Sequence, residues 1–222
     1  MTLEECLGQM SEKYRADPVA AVRSQGFIKL LHAYLAVEMR ARLSKQAVKR
    51  GVKVIEEATI FGAHKSKDVD VAVVDPANGP LLLIGLRSQM SSVGNNALTY
   101  YQDIIGECIT LQERFPLTVC GYVYLHPLAP VKEGKESEKI DHGRWARMYE
   151  AISGRDGQAY KSIRGVYDHF AYMVVDFNTD PLQLHDELVK AAVPDLDLSV
   201  STFIDRMVST FKKRNFFLDI FE

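Results

Sequence analysis

The sequence predicts an α/β domain, a mixed sheet flanked by helices. Three observations carry this. Apolar strand candidates follow a long amphipathic helix. Two of those strands are joined by the turn-forming link "DPANGP". A second amphipathic helix then leads straight into another apolar strand. Strands alternating with helical segments in this order argue a mixed sheet rather than a sandwich or a bundle.

Pro18 to about Arg50 reads as helix, opened by Pro18 and closed by Gly51, with Gly26 as the place for a break or a close packing contact. Phe27, Leu30, Leu31, Tyr34 and Leu35 keep helical spacing. Strands are predicted over Val52–Phe61, Asp68–Asp75 and Pro80–Ser88, the last two as a hairpin. A helix is predicted from Asn95 to Phe115, stopped by Pro116, and a strand from Leu117 to Pro127. A charged stretch over 130–165 reads as an insertion or lid, with a short helix in "GRWARMYEAI". "HFAYMVVDF" returns as a strand. Helical pieces near Leu182–Ala192 and Ser201–Arg214 end the pattern.

With 222 residues and 47% hydrophobic content, residues 1–222 suit a single domain. The net charge of −2 gives no global basic field that would announce nucleic acid, although a local basic face is compatible with it. Cys6, Cys108 and Cys120 form no CxxC pair, which suits a reducing cytoplasm. No apolar run is long enough for a membrane span, and the opening "MTLEECLGQM" lacks a signal core. P-loop, GxGxxG, HExxH and GxSxG patterns are absent.

The hairpin is where chemistry concentrates. A turn centred between Ala77 and Asn78 sets Asp70 opposite Gly85 and Asp68 opposite Arg87. Opposed residues share a face, as do residues two apart on a strand. Asp68, Asp70, Gly85 and Arg87 then lie on one face. Leu82, Ile84 and Leu86 lie on the other with Val69, Val71 and Val73. Carboxylates and a guanidinium beside an apolar face make a site edge. The plainer alternative is a cross-strand ion pair on a solvated surface.

This order of elements resembles the PD-(D/E)XK nuclease superfamily, the fold of many type II restriction endonucleases. Asp70 matches the motif's first Asp, Gly85 stands at its second acid and Arg87 at its Lys. The "SQMSS" that follows is similar to the Lys-Ser-Gln stretch of some restriction-enzyme-like proteins, which adds Gln89. Glu38 matches the acid on the first helix. The resemblance covers roughly Val19 to Pro127.

The resemblance implies a restriction-endonuclease-like fold and Mg²⁺-dependent hydrolysis of DNA phosphodiester bonds. It implies Asp70, Arg87, Gln89 and Glu38 as catalytic residues. Phosphodiester hydrolysis needs a cation held by hard oxygens. Gly85 supplies none, and Arg87 is a poor base because it does not deprotonate. The missing acid is open among Asp103, Glu107, Glu56, Glu57 and Glu38. Asp70, Asp68, Glu107 and Asp103 are the metal-ligand candidates. Three classes follow: a DNA-cleaving enzyme with a migrated acid, an inert nucleic-acid-binding derivative, and a partner-binding protein that keeps only the fold. A homodimer is compatible with each. Trp145 with Arg144 and Arg147 is a further candidate for nucleic acid, since aromatic and guanidinium groups stack on bases.

Overall fold

In a computed structural model, the described residues are all except 24, 91–92, 130–138, 156–158 and 161–162. For 22, 23, 25, 93–95, 159, 160, 163 and 164 only the backbone is described.

The architecture is a six-stranded mixed sheet between two layers of helices. Strands β1 (Lys53–Phe61), β2 (Ser66–Asp75) and β3 (Gly79–Ser88) form an antiparallel meander. Helix α5 (Val93–Arg114) then crosses to β4 (Val119–Pro127), parallel to β3. Strand β7 (His169–Asp176) is parallel to β4, and the short β8 (Gln183–Leu184) closes the edge antiparallel to β7. Strand order is β1-β2-β3-β4-β7-β8; β5 (Ala159–Tyr160) and β6 (Ile163–Arg164) pair separately.

One layer packs Phe27, Leu31, Leu35 and Met39 of α3 (Gln25–Ala41) and Phe203, Met207 and Phe211 of α8 (Val200–Arg214) on Val71, Val73, Leu82, Ile84 and Leu86. The other packs Ile104, Cys108 and Leu111 of α5, with Trp145 and Tyr149 of α6 (His142–Glu150), on Leu83, Tyr122, Tyr124 and Tyr172. Buried on both faces, β4 reads as a continuous buried run.

The helical segment predicted over Pro18–Arg50 is three helices: α2 (Pro18–Arg23), α3 and α4 (Lys45–Lys49). The last break is made by Ser44, whose hydroxyl caps Ala47 N–H and whose own N–H donates to Ile220 O. The N-terminal α1 (Leu3–Ala16) opens with a capping box between Thr2 and Glu5. Helix α7 (Asp186–Lys190) is shorter than predicted, because the chain before it pairs with β7 as β8.

The hairpin register agrees with the prediction where the strands pair: Val71 faces Ile84, Ala72 faces Leu83 and Val73 faces Leu82. A bulge between Val73 and Val74 shifts the rest, and Gly79 takes φ +78° at the turn, where a side chain would be strained.

The grouping of Val69 with Val71 and Val73 is corrected. Val69 packs with Ala58, Ile60, Ala72 and Leu83, in the opposite layer. The cause lies opposite Asp70. Glu56 pairs Val71 and Ala58 pairs Val69, but Glu57 between them takes φ +54° and leaves the ladder. Side-chain alternation therefore inverts at Glu57 and Asp70, so Val54 and Ala58, four residues apart on one strand, point into opposite layers.

Within the charged segment, α6 is no lid. Trp145, Ala146 and Tyr149 are core residues, and this connection carries the crossover from β4 to β7. Residues 130–138 of that segment lie outside the described residues.

Candidate functional site

Asp70 is placed where β2 leaves its partner strands. Pairing with β3 stops at Val71–Ile84, and beyond it Asp70 Oδ2 accepts the Leu86 backbone N–H at 2.6 Å. Its other oxygen, Oδ1, faces His32 Nε2 of α3 at 3.5 Å. Arg87 Nη1 lies 3.9 Å from Oδ2.

Arg87 leans across β3 toward α5. Its Nη2 donates to Glu107 Oε2 at 2.7 Å, and its guanidinium lies over the rings of Tyr100 and Tyr122 at 5.7 and 5.6 Å. Burial works against the charged guanidinium, but Glu107, Tyr122 and Asp70 outweigh it and raise its pKa. Glu107 is almost fully buried. It is held by Arg87, by Lys67 Nζ and by Tyr122 O–H, which donates at 3.2 Å.

The strand position beside Arg87 has no room for a side chain. A Cβ on Gly85 would come within 2.5 Å of the Tyr122 ring. Tyr122 fills that space, and its hydroxyl braces Glu107.

Around these groups lies a cleft of about 660 Å³, bordered by Ile28, His32, Glu57, Thr59, Lys67, Asp68, Val69, Asp70, Leu86, Arg87, Ser88, Tyr100, Asp103 and Glu107. Its wall carries five carboxylates (Glu57, Asp68, Asp70, Asp103, Glu107) against two permanent cations, Lys67 and Arg87. His32 adds no charge at neutral pH, since burial lowers its pKa more than the nearby Asp70 raises it. The excess is negative, which favours a cation and disfavours a bare phosphate.

Of the predicted residues, Asp68, Asp70, Arg87, Asp103 and Glu107 border this cleft. Asp68 accepts from Thr59 Oγ1 at 2.6 Å, its cross-strand partner. Glu38 does not border it. Its carboxylate binds Arg42 at 2.9 Å, and Arg42 in turn holds Asp205 of α8, so Glu38 serves the contact between α3 and α8. Gln89 is buried just past β3 and neither atom of its amide has a hydrogen-bond partner. Glu56 pairs with Arg40, and Glu57 with Lys29 at the cleft wall. Trp145 is buried beneath Arg144 and offers no face to a base, which corrects its candidacy.

Sequence reasoning missed His32, Lys67 and Tyr122. Lys67 directly precedes the "DVDV" stretch and offered a signal. Nothing in the pattern distinguished His32 from the apolar stripe of its helix. Among the described residues, no three His, Cys, Asp or Glu side chains are gathered closely enough to enclose a metal ion. No helix there is long and apolar enough to cross a membrane. Comparison of the chain with family models, curated proteins and solved structures returned no match.

Proposed function

We propose that the protein is a PD-(D/E)XK-like, Mg²⁺-dependent DNA endonuclease in which Glu107 of α5 replaces the acid missing at Gly85. One observation carries the reading: Asp70 and Glu107, from a strand and from a helix, both reach the single guanidinium of Arg87. Mg²⁺ can be held by one or two carboxylates with waters and substrate phosphate oxygens, but both Glu107 oxygens are engaged by Lys67, Arg87 and Tyr122, so an ion shared with Asp70 would have to displace one of the two cations. Asp70 and Glu107 would hold it, with Asp68 and Asp103 adding negative charge at the cleft wall. When bound, such an ion activates water and offsets charge on the scissile phosphate.

The chain's own residues do the rest. Leu86 N–H fixes the Asp70 carboxylate on the backbone. Arg87 donates Nη1 to Leu86 O and Nη2 to Glu107; gripping a phosphate would require it to give up those bonds, with Lys67 left to balance Glu107. DNA approaching without a cation meets the excess of carboxylates, so binding itself should depend on the divalent ion.

A second reading, the inert nucleic-acid-binding derivative, is favoured by Tyr122, whose ring fills the place of any side chain at position 85. Nicking of supercoiled plasmid with Mg²⁺ or Mn²⁺ separates the two. Wild type should nick, and Asp70→Asn and Glu107→Gln should each reduce nicking at least 100-fold. Wild type that binds DNA but never nicks it establishes the inert reading instead.

A further inference from the structure

We propose that a second cleft, between the end of α6, the start of β7 and α8, binds a small zwitterion: Arg206 holds its carboxylate and Glu150 its ammonium group. This cleft has a volume of about 550 Å³ and shares no lining residue with the cleft around Asp70, so the inference stands apart from the nuclease reading. Its size lies within the range of small-molecule sites, roughly 300–1,000 Å³.

Arg206 is a half-buried cation without a counter-charge. Arg87 grips Glu107 and Arg214 grips Asp168, whereas Arg206 has no carboxylate within ion-pair distance among the described residues. Its Nη1 donates to Phe170 O and its Nη2 to Ser199 O, each at 3.1 Å. Its Nε is buried without a partner. Each Nη carries a second N–H that these two carbonyls do not use. Carbonyls satisfy donors but do not cancel charge, and the Phe203 ring 5.7 Å from the guanidinium does so only weakly. Burial pushes the pKa of Arg206 down, and Asp197 offsets that only in part. Such a charge is costly unless an anion meets it.

The other charged groups of the wall decide which anion fits. Asp168 is taken by Arg214 and by the Cys120 N–H, and His169 is bonded to Thr210 Oγ1. That leaves Arg147 and Arg206 against Glu150 and Asp197. A balanced wall disfavours phosphate, and equally a bare cation, and suits a molecule whose own charges balance. Asp197 already accepts from Ser199 N–H and Thr202 Oγ1. The Glu150 carboxylate accepts no hydrogen bond among the described residues. Burial and then Asp195 raise its pKa against the pull of Arg147, so Glu150 is as short of positive charge as Arg206 is of negative. Arg206 and Glu150 do not pair with each other, because two carbonyls pin the guanidinium. Phe170, Leu196 and Leu198 complete the wall with apolar surface. An aliphatic amino acid carries all three matching parts.

The test is calorimetric binding of L-leucine to the full chain, beside L-leucinamide, which lacks the carboxylate, isocaproate, which lacks the ammonium group, and inorganic phosphate. Leucine should bind, and leucinamide and isocaproate should each bind about 10- to 100-fold more weakly, the worth of one hydrogen bond to a charged group. Arg206→Gln and Glu150→Gln should each weaken leucine by a similar factor. Absence of leucine binding at millimolar concentration overturns the proposal. Leucinamide or isocaproate binding as tightly as leucine overturns it too, since one of the two charges then goes unread. Phosphate binding tighter than leucine makes the cleft a simple anion site and overturns it as well. Folded Arg206→Gln and Glu150→Gln that bind leucine as wild type does place the site elsewhere. Should Arg206→Gln fail to fold, Glu150→Gln decides: undiminished leucine binding by that variant overturns the proposal.

Discussion

Gly85 is decided by a single ring. A Cβ there would sit 2.5 Å from Cε1 and 2.8 Å from Cδ1 of Tyr122, a buried residue whose hydroxyl is committed to Glu107. Gly85→Ala should therefore destabilise the fold by about 1–3 kcal/mol, as overpacking does, read as a lower urea midpoint. The double variant Gly85→Glu with Arg87→Lys rebuilds the family trio on paper. It should lose stability without gaining cleavage, because Tyr122 blocks the new carboxylate and Lys cannot bond both Glu107 and the Leu86 carbonyl as Arg87 does. Glu107 itself neutralises two cations. Glu107→Ala leaves Arg87 and Lys67 without it in a mostly buried setting and should cost about 3 kcal/mol or more. Equal urea midpoints for Glu107→Ala and wild type would show that the ion cluster is not a structural unit.

At the scale of elements, the site depends on one irregularity shared by two strands. Glu57 at φ +54° lies opposite Asp70 and inverts the alternation of both. A non-glycine residue held there stores about 1 kcal/mol or more. Glu57→Gly should thus leave thermal stability unchanged or raise it, the lost Lys29 pair being half exposed and worth little. The same variant should loosen Asp70 and impair any metal-dependent activity. A fall of several degrees in Tm would mean that Glu57 is not strained. Packing of β4 on α8 is equally tight: a Cβ at Gly121 would meet Met207 Sδ at 2.5 Å and Phe203 Cζ at 2.9 Å. Most strands of this sheet were legible from apolar runs and turn formers. The break between α3 and α4 was not, because Ser44 caps α4 and bonds to Ile220 and Asp219, far along the chain.

For the whole molecule, two buried histidines set the acid limit. His126 is fully buried, which together with the neighbouring His142 pushes its pKa down to about 3; burial takes His142 down to about 4. Unfolded, each titrates near 6.5. The folded chain refuses protons that the unfolded chain accepts. The contribution of these residues is therefore intact above pH 6.5 and is lost as pH falls from 6.5 toward 4 and then 3. Each adds a slope of about 1.4 kcal/mol per pH unit within its window. Urea unfolding at pH 7.5, 6 and 5 should show this decline, and His126→Gln should flatten it. A stability flat from pH 7 to 5 would contradict the burial of both rings.

The sequence by itself determined most of the sheet, its hairpin register near Val71–Ile84, and the nearness of Asp68, Asp70 and Arg87 at one cleft, though not the face each occupies, since alternation inverts at Asp70. Those follow from local rules, namely alternation, turn residues and period, which a single chain displays. Only the tertiary structure decided which helix acid meets Arg87. Glu107 and Asp103 are one turn apart on the same helix, and no spacing rule says which meets Arg87. Docking of α5 on Tyr122 selects Glu107. In the same way it is the packing of α3 that turns His32, rather than Glu38, toward the sheet. Register is a property of neighbours in sequence, whereas the angle at which a helix lies on a sheet is set by side chains that meet only when the chain is folded.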